Sequence, residues 1–266
     1  MRKTMSGKRA GLLVALCLLG MTIAPWAEAQ ENPDATPLRV GLSTSYPPVA
    51  FEKDGQLGGL EVDLARAVGA EIGKPIEFKT MEFKELIPAL QAKKIDVIMS
   101  GMSVTEERAK SVDFVQPYMR VGQMALVSSE EFSRFADPGR LNASGAKIGF
   151  VQGTTGGRYV AASLPKATKV AVESADKGVA ALRDGSIDLF IHDAPTIWRV
   201  SLDPKERELL ALYEPLTEEY LAWGVRKDDP NLKGALDGFV TRWKENGQMD
   251  STVNKWIPVR VEVKAQ

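Results

Sequence analysis

The chain has 266 residues, 44% of them apolar, and sets 34 Lys and Arg against 35 Asp and Glu, with one histidine and one cysteine. So even a charge balance leaves no basic footprint for nucleic acid or an anionic membrane surface. One histidine and one cysteine are too few for the usual His- or Cys-rich metal centres or for a disulfide framework, so no metal and no cofactor is expected.

Residues 1–29 open with Arg2, Lys3, Lys8 and Arg9, run through an apolar stretch, and close on Ala27-Glu28-Ala29, which together read as a signal peptide. The apolar run over 11–24 is shorter than the ~20 residues a spanning helix needs. Cys17 lies inside that run behind Leu16, where lipoprotein processing wants a small residue, so a soluble product cleaved near Ala29 and released to the periplasm is expected. The cleaved chain keeps 30 Lys and Arg against 34 Asp and Glu, a formal charge of −4, and has no cysteine.

Residues 30–37 are polar and proline-bearing and read as a disordered lead-in. A strand over 38–42 follows, then a helix over 60–72. In that helix Leu60, Leu64, Val68 and Ile72 recur at helical spacing, and Gly73 and Pro75 end it. A strand over 76–80, a helix over 83–92 and a strand over 95–99 complete a β-α-β-α-β unit, which implies parallel strands with crossover helices. The same order returns as strand 147–151, helix 157–164, strand 169–172, helix 175–183 and strand 187–191. Residues 88–98 also resemble residues 180–190, with Ile95 and Asp96 matching Ile187 and Asp188 at a constant offset. Two similar lobes are inferred. A strand over 221–225 and a helix opened by Asp229 as N-cap and Pro230 at its first position are left to return to the first lobe.

In open parallel sheets ligands bind beyond the carboxyl ends of the strands. Those ends fall at Ser43 to Tyr46 and Ser100-Gly101 in one lobe, and at 152–156 and His192-Asp193 in the other. All four places are rich in small and polar residues, as close backbone approach to a ligand requires.

Six segments carry a resemblance to a known family: Tyr46-Pro47-Pro48 with Phe51, residues 59–64, residues 100–108, residues 113–118, Gly153-Thr154-Thr155-Gly156 and His192-Asp193-Ala194-Pro195. In this order and spacing they resemble the family 3 extracellular solute-binding proteins of amino-acid ABC importers, over nearly the whole mature chain. The resemblance implies an α/β fold of two lobes, the type II periplasmic-binding arrangement, each lobe a mostly parallel sheet flanked by helices. Residues 38–120 and 221–262 would form lobe 1 and residues 121–220 lobe 2. Two crossings would join them, near 118–124 and 217–222. It also implies an amino-acid ligand, a membrane permease as partner, and a monomer.

An amino acid carries a carboxylate, an ammonium and a side chain, and the cleft must meet all three. Arg108 is the candidate for the carboxylate, because a guanidinium grips it with two parallel hydrogen bonds. By residue type alone it reads equally as a solvated charge in the run Glu106, Glu107, Arg108, Lys110, and the resemblance favours contact. Thr154 and Thr155 open a helix whose positive end would face the same group from the other lobe, or form an ordinary Thr-capped turn. Ser100, Gly101 and Ser103 would add backbone and hydroxyl contacts. Asp193 is the candidate for the ammonium, with helix capping as its alternative role. His192 beside it reads as a packing residue that can line the pocket and not as a catalytic one.

Tyr46 and Phe83 would wall the ligand side chain. Ser43 stands where the family often has an acid, a departure that argues against a basic ligand. Residues 218–223 also depart from the small, glycine-bearing crossing of the family. Two other readings share the scaffold. One is a cyclohexadienyl dehydratase-like enzyme with Glu218 or Glu219 as its acid. The other is a sensor that presents ligand to a membrane receptor.

Overall fold

A computed structural model describes residues 36–137, 140–141, 145–212, 215–257 and 259, so the predicted leader and most of the lead-in lie outside the described residues. The first lobe runs β1 (Leu38–Leu42), β2 (Ser45–Tyr46), β3 (Ala50–Lys53), β4 (Gln56–Gly58), α1 (Leu60–Ile72), β5 (Ile76–Thr80), a 3₁₀ turn at Phe83–Glu85, α2 (Leu86–Gln91), β6 (Val97–Ile98), α3 (Glu106–Ala109) and β7 (Asp113–Phe114). After β8 (Met119–Val121) the second lobe follows: β9 (Gln123–Ser128), α4 (Phe132–Phe135), β10 (Lys147–Val151), α5 (Thr155–Ser163), β11 (Thr168–Val172), α6 (Ala175–Arg183), β12 (Leu189–Asp193), α7 (Ala194–Ser201) and β13 (Leu209–Ala211). The chain returns through β14 (Glu219–Leu221) to β15 (Gly224–Val225), α8 (Pro230–Glu245) and α9 (Gln248–Trp256).

Each lobe is built on a five-stranded sheet, in the orders β5-β1-β6-β15-β7 and β11-β10-β12-β9-β13. The plans match. In the first sheet β1 lies between β5 and β6, both parallel to it, and β15 adds antiparallel to β6. In the second, β10 lies between parallel β11 and β12, and β9 adds antiparallel to β12. Between the lobes β8 and β14 pair as a two-stranded antiparallel ribbon, Met119 opposite Leu221 and Val121 opposite Glu219. This is the two-lobe type II arrangement, with helices on the sheet faces and two crossings.

The internal repeat has a physical meaning. Ile95 packs over Gly41 and Ile187 over Gly149, so closely that a Cβ on either glycine would come within 2.3 or 2.4 Å of the isoleucine Cδ1. The following acids each accept the first-strand amide of their lobe, Arg39 N–H to Asp96 at 3.0 Å and Lys147 N–H to Asp188 at 2.8 Å. One Ile-Asp pair thus sets strand register and strand spacing in both lobes.

Several predicted boundaries move. The first turn of the 83–92 helix is 3₁₀, and Pro88 sits in the first turn of α2, where its missing N–H costs nothing. Strand 187–191 lies two residues later, so His192 and Asp193 end β12 instead of following it. The strand expected over 221–225 divides in two, because the chain pairs with β8 up to Leu221 and with β6 and β7 from Gly224 onward. Helices α8 and α9 pack back on the first lobe through Leu236, Phe239, Val240, Met249 and Val253, beside Trp223 and the Leu60, Leu64 and Val68 face of α1.

Candidate functional site

The carboxyl ends of β1 and β6 face those of β10 and β12, and a cavity lies between them. From the first lobe Tyr46, Phe83, Gly101, Ser103 and Arg108 line it, and from the second Thr154, Thr155 and Asp193. Eight of the ten predicted site residues therefore meet in one place. The cavity is narrow, and Thr196 of the second lobe donates to the Pro47 carbonyl of the first at 2.9 Å, so the lobes are closed on each other. Outside Phe83 and Ser45 it adjoins an open groove of about 790 Å³. Ser43 lines that groove, with Glu82 and Lys84 on one side and Gln152 and Glu173 on the other. Ser100 lines neither space: its buried hydroxyl accepts the Ser43 N–H at 2.9 Å.

Arg108 is delivered by α3, whose Thr105 N-cap hydroxyl accepts the Arg108 N–H at 3.2 Å. Its guanidinium donates to the Ser103 carbonyl at 2.8 Å and, across the cleft, to the Gly153 carbonyl at 3.2 Å. The Phe83 ring lies 5.2 Å below it. Those two bonds use two of the five guanidinium donors, leaving three for a ligand acceptor. Burial, with repulsion from Arg158, brings its pKa down to about 10, so it stays charged at neutral pH.

Facing it, α5 opens with Thr154, whose hydroxyl accepts the Gly157 N–H at 3.3 Å and donates to the Val151 carbonyl at 2.7 Å. The nine-residue helix thus turns its positive end to the wall of the cavity that Thr154 and Thr155 line.

Asp193 occupies the N-cap position of α7, yet its side chain makes no capping bond. The carboxylate instead accepts from the amide nitrogen of Gln123. Burial, then the nearby Glu219 charge, raises its pKa to about 6. Gln123 is completely buried, and the same nitrogen reaches Thr155 Oγ1 at 3.0 Å and Glu219 Oε1 at 3.2 Å. Its backbone N–H is taken by Thr217 Oγ1 at 2.9 Å. His192 lines the cavity edge-on to Tyr46, ring centroids 5.0 Å apart, and burial lowers its pKa to about 4, which keeps it neutral.

Three buried polar atoms here have no hydrogen-bond partner among the described residues: Gln123 Oε1, His192 Nδ1 and Glu219 Oε2. Native interiors pair nearly all such groups. His192 lines the cavity, and Gln123 and Glu219 lie behind it beside Asp193, so the polar groups gather at one place. A buried cation on one lobe and a buried, uncapped anion on the other can hold a molecule that carries both charges.

Gln123 escaped the sequence reading, although a glutamine heading the apolar run Met124-Ala125-Leu126-Val127 is a signal of a buried polar role. Glu61 also escaped, because an acid in the first turn of a helix is already explained by the helix dipole.

The profile of the bacterial extracellular solute-binding proteins, family 3, matches residues 38–259. The L-arginine-binding protein of Pseudomonas aeruginosa is 30% identical over 259 residues, covering 94% of this chain and 96% of its own. Among solved structures, a putative ABC-transporter binding component from Wolinella succinogenes complexed with lysine is similar with a TM-score of 0.79 at 29% identity, over 83% of this chain and 95% of that one. An ancestral amino-acid-binding protein described as a precursor of cyclohexadienyl dehydratase gives 0.77 at 32% identity, again over 83% and 95%. Among the described residues no helix is long and apolar enough to cross a membrane.

Proposed function

Because the chain belongs to the bacterial extracellular solute-binding proteins of family 3, we propose that it closes its two lobes around a free amino acid and delivers it to the permease of an ABC importer. The observation that carries this reading is the placement of Arg108 and Asp193 on opposite lobes of one cavity. The α-carboxylate lies on the Arg108 guanidinium, aided by the positive end of α5, and the α-ammonium on Asp193. Each is a charge-assisted contact worth ~1.5–3 kcal/mol. Tyr46 and Phe83 wall the side chain, whose end points along the groove past Ser43.

The lobes part at the β8–β14 ribbon to admit the ligand and close again on it. Contacts made on both lobes at once stabilise the closed form, and that shape is what the permease reads. The leader directs export, cleavage near Ala29 frees the protein in the periplasm, and it works there as a monomer without catalytic turnover.

A thermal-shift panel of the twenty amino acids tests the reading. A ligand at 100 times its Kd adds ~2.7 kcal/mol of stability, and one or a few members should raise Tm while the others leave it unchanged. No shift from any of the twenty sinks the amino-acid reading. The enzyme reading draws support from the buried Asp193 carboxyl, whose pKa near 6 suits a proton donor at neutral pH. Product formed from prephenate or arogenate would carry it.

A further inference from the structure

Glu61, the second residue of α1, is buried to 1% exposure, and no Lys or Arg among the described residues hydrogen-bonds it. Three donors converge on its carboxylate. The Gly101 N–H and the Tyr118 hydroxyl each reach Oε1 at 2.7 Å, and the Trp223 indole N–H reaches Oε2 at 2.9 Å. These donors come from three separate parts of the chain. Gly101 belongs to the loop that lines the cavity, Tyr118 leads into the first crossing, and Trp223 follows the second.

Backbone bonds bind the same three parts together. The Ala222 N–H donates to the Met102 carbonyl at 3.0 Å and the Val104 N–H to the Tyr220 carbonyl at 2.8 Å, so the loop lies along the second crossing. The Tyr118 N–H donates to the Leu221 carbonyl at 3.0 Å, which joins the crossings to each other. Gly101 has φ +63°, and a Cβ there would meet the Tyr46 ring at 2.6 Å, so the amide that Glu61 holds also seats a wall of the cavity.

We infer that Glu61 is a positioning residue: its buried carboxylate fastens the ligand-facing loop at Gly101 to both crossing strands, so that loop and hinge move as one body. A carboxylate is the group that fits, because it offers acceptors on both oxygens. Glutamine, of the same shape, offers one, and its amide hydrogens would face a donor at the other position. An apolar residue would fill the space and strand all three donors. Burial raises the Glu61 pKa to about 7, so this acceptor is held in the interior against the cost of its charge. The meaning of the loop rests on the solute-binding reading, but the test uses ligand-free protein and is independent of it.

The test follows exchange of the Gly101 amide and the Trp223 indole proton in ¹⁵N-labelled protein without ligand. In Glu61→Gln both should exchange about tenfold faster or more, as loss of a charged hydrogen bond implies, while amides of β10 and β12 in the other lobe keep their rates. Unchanged rates, a change at either reporter alone, or an equal rise in both lobes overturns the inference. Tyr118→Phe decides the matter if Glu61→Gln does not fold. It removes one hydroxyl that touches neither reporter, and one coupled body requires both reporters to speed up, so two unmoved reporters overturn it as well. If these rates behave as expected and no amino acid binds, the solute reading fails and the positioning role stands.

Discussion

Gln123 and Asp193 meet side chain to side chain at the base of the cleft, the amide nitrogen of one donating to the carboxylate of the other. That nitrogen also faces Thr155 and Glu219, so one buried amide separates two acids and orients the one that lines the cavity. Gln123→Leu should therefore leave Asp193 and Glu219 unbridged, raise the Asp193 pKa further, and weaken binding of the amino acid found by thermal shift by ~1–3 kcal/mol. Calorimetric titration at pH 6 and pH 8 checks it. The loss should be larger at pH 6, where more of the Asp193 carboxyl is protonated, and equal losses would count against an orienting role.

Asp193 is a cost to the ligand-free fold. Its pKa is raised from 3.8 to about 6, so the folded state holds the proton more tightly than the unfolded chain, and stability falls as pH rises through that window. Asp193→Asn cannot ionise. Its Tm should draw level with or pass that of the wild type as pH goes from 4 to 7, the differential amounting to at most about 3 kcal/mol, while amino-acid binding is lost. Melting curves without ligand across that range test this, and a Tm difference that does not move with pH would contradict the shift.

The neighbouring His192 carries the opposite sign. Burial lowers its pKa from 6.5 to about 4, so the unfolded chain takes up the proton first. The stability it contributes is whole above pH 6.5 and is lost as pH falls to 4. His192→Gln should flatten acid unfolding between those limits and leave Tm at pH 8 nearly in place. An acid limb as steep as the wild type's would show that His192 is already charged in the fold.

Much of this was legible in the sequence because strong periodicity and repetition are local. The Leu60, Leu64, Val68, Ile72 spacing marks α1 at its observed limits, and the Ile-Asp pairs mark the same place in both lobes. Strand ends were less legible. Asp193 reads as lying beyond its strand because the apolar run stops at Ile191, whereas pairing with Met124 and Gln123 on β9 carries β12 two residues further. Residues 221–225 read as one strand because nothing local says that pairing passes from β8 to β6 and β7 between Leu221 and Gly224. Gln123 and Glu61 became readable only in three dimensions, since their partners lie 40 to 162 positions away for Glu61 and 32 to 96 for Gln123.

Arg108 should not tolerate lysine. The guanidinium spends one nitrogen on the Ser103 carbonyl and another on Gly153 across the cleft. A single ammonium cannot keep both and still present parallel donors to a carboxylate. Arg108→Lys should lose most of the affinity that Arg108→Ala loses, ~1.5–3 kcal/mol or more, with the far-ultraviolet spectrum unchanged. Near wild-type affinity for the lysine variant would mean that only charge is read at this position.

Closure also engages residues outside the cavity. Glu107 on α3 and Arg158 on α5 pair across the cleft at 2.6 Å, and Thr196 donates to the Pro47 carbonyl at 2.9 Å on another interlobe contact. The ion pair is exposed, 75% at Glu107, so it is worth at most about 1 kcal/mol and is screened by salt. It nonetheless exists only when the lobes meet, so its whole effect falls on the closed form and hence on how fast ligand escapes. Glu107→Arg and Arg158→Glu should each speed ligand dissociation a few-fold at low salt, and the double exchange should restore the rate. Stopped-flow dissociation at two ionic strengths distinguishes the cases. Restoration at low salt that fades at high salt identifies an electrostatic latch, and a double variant as fast as either single one means the pair does not contribute to closure.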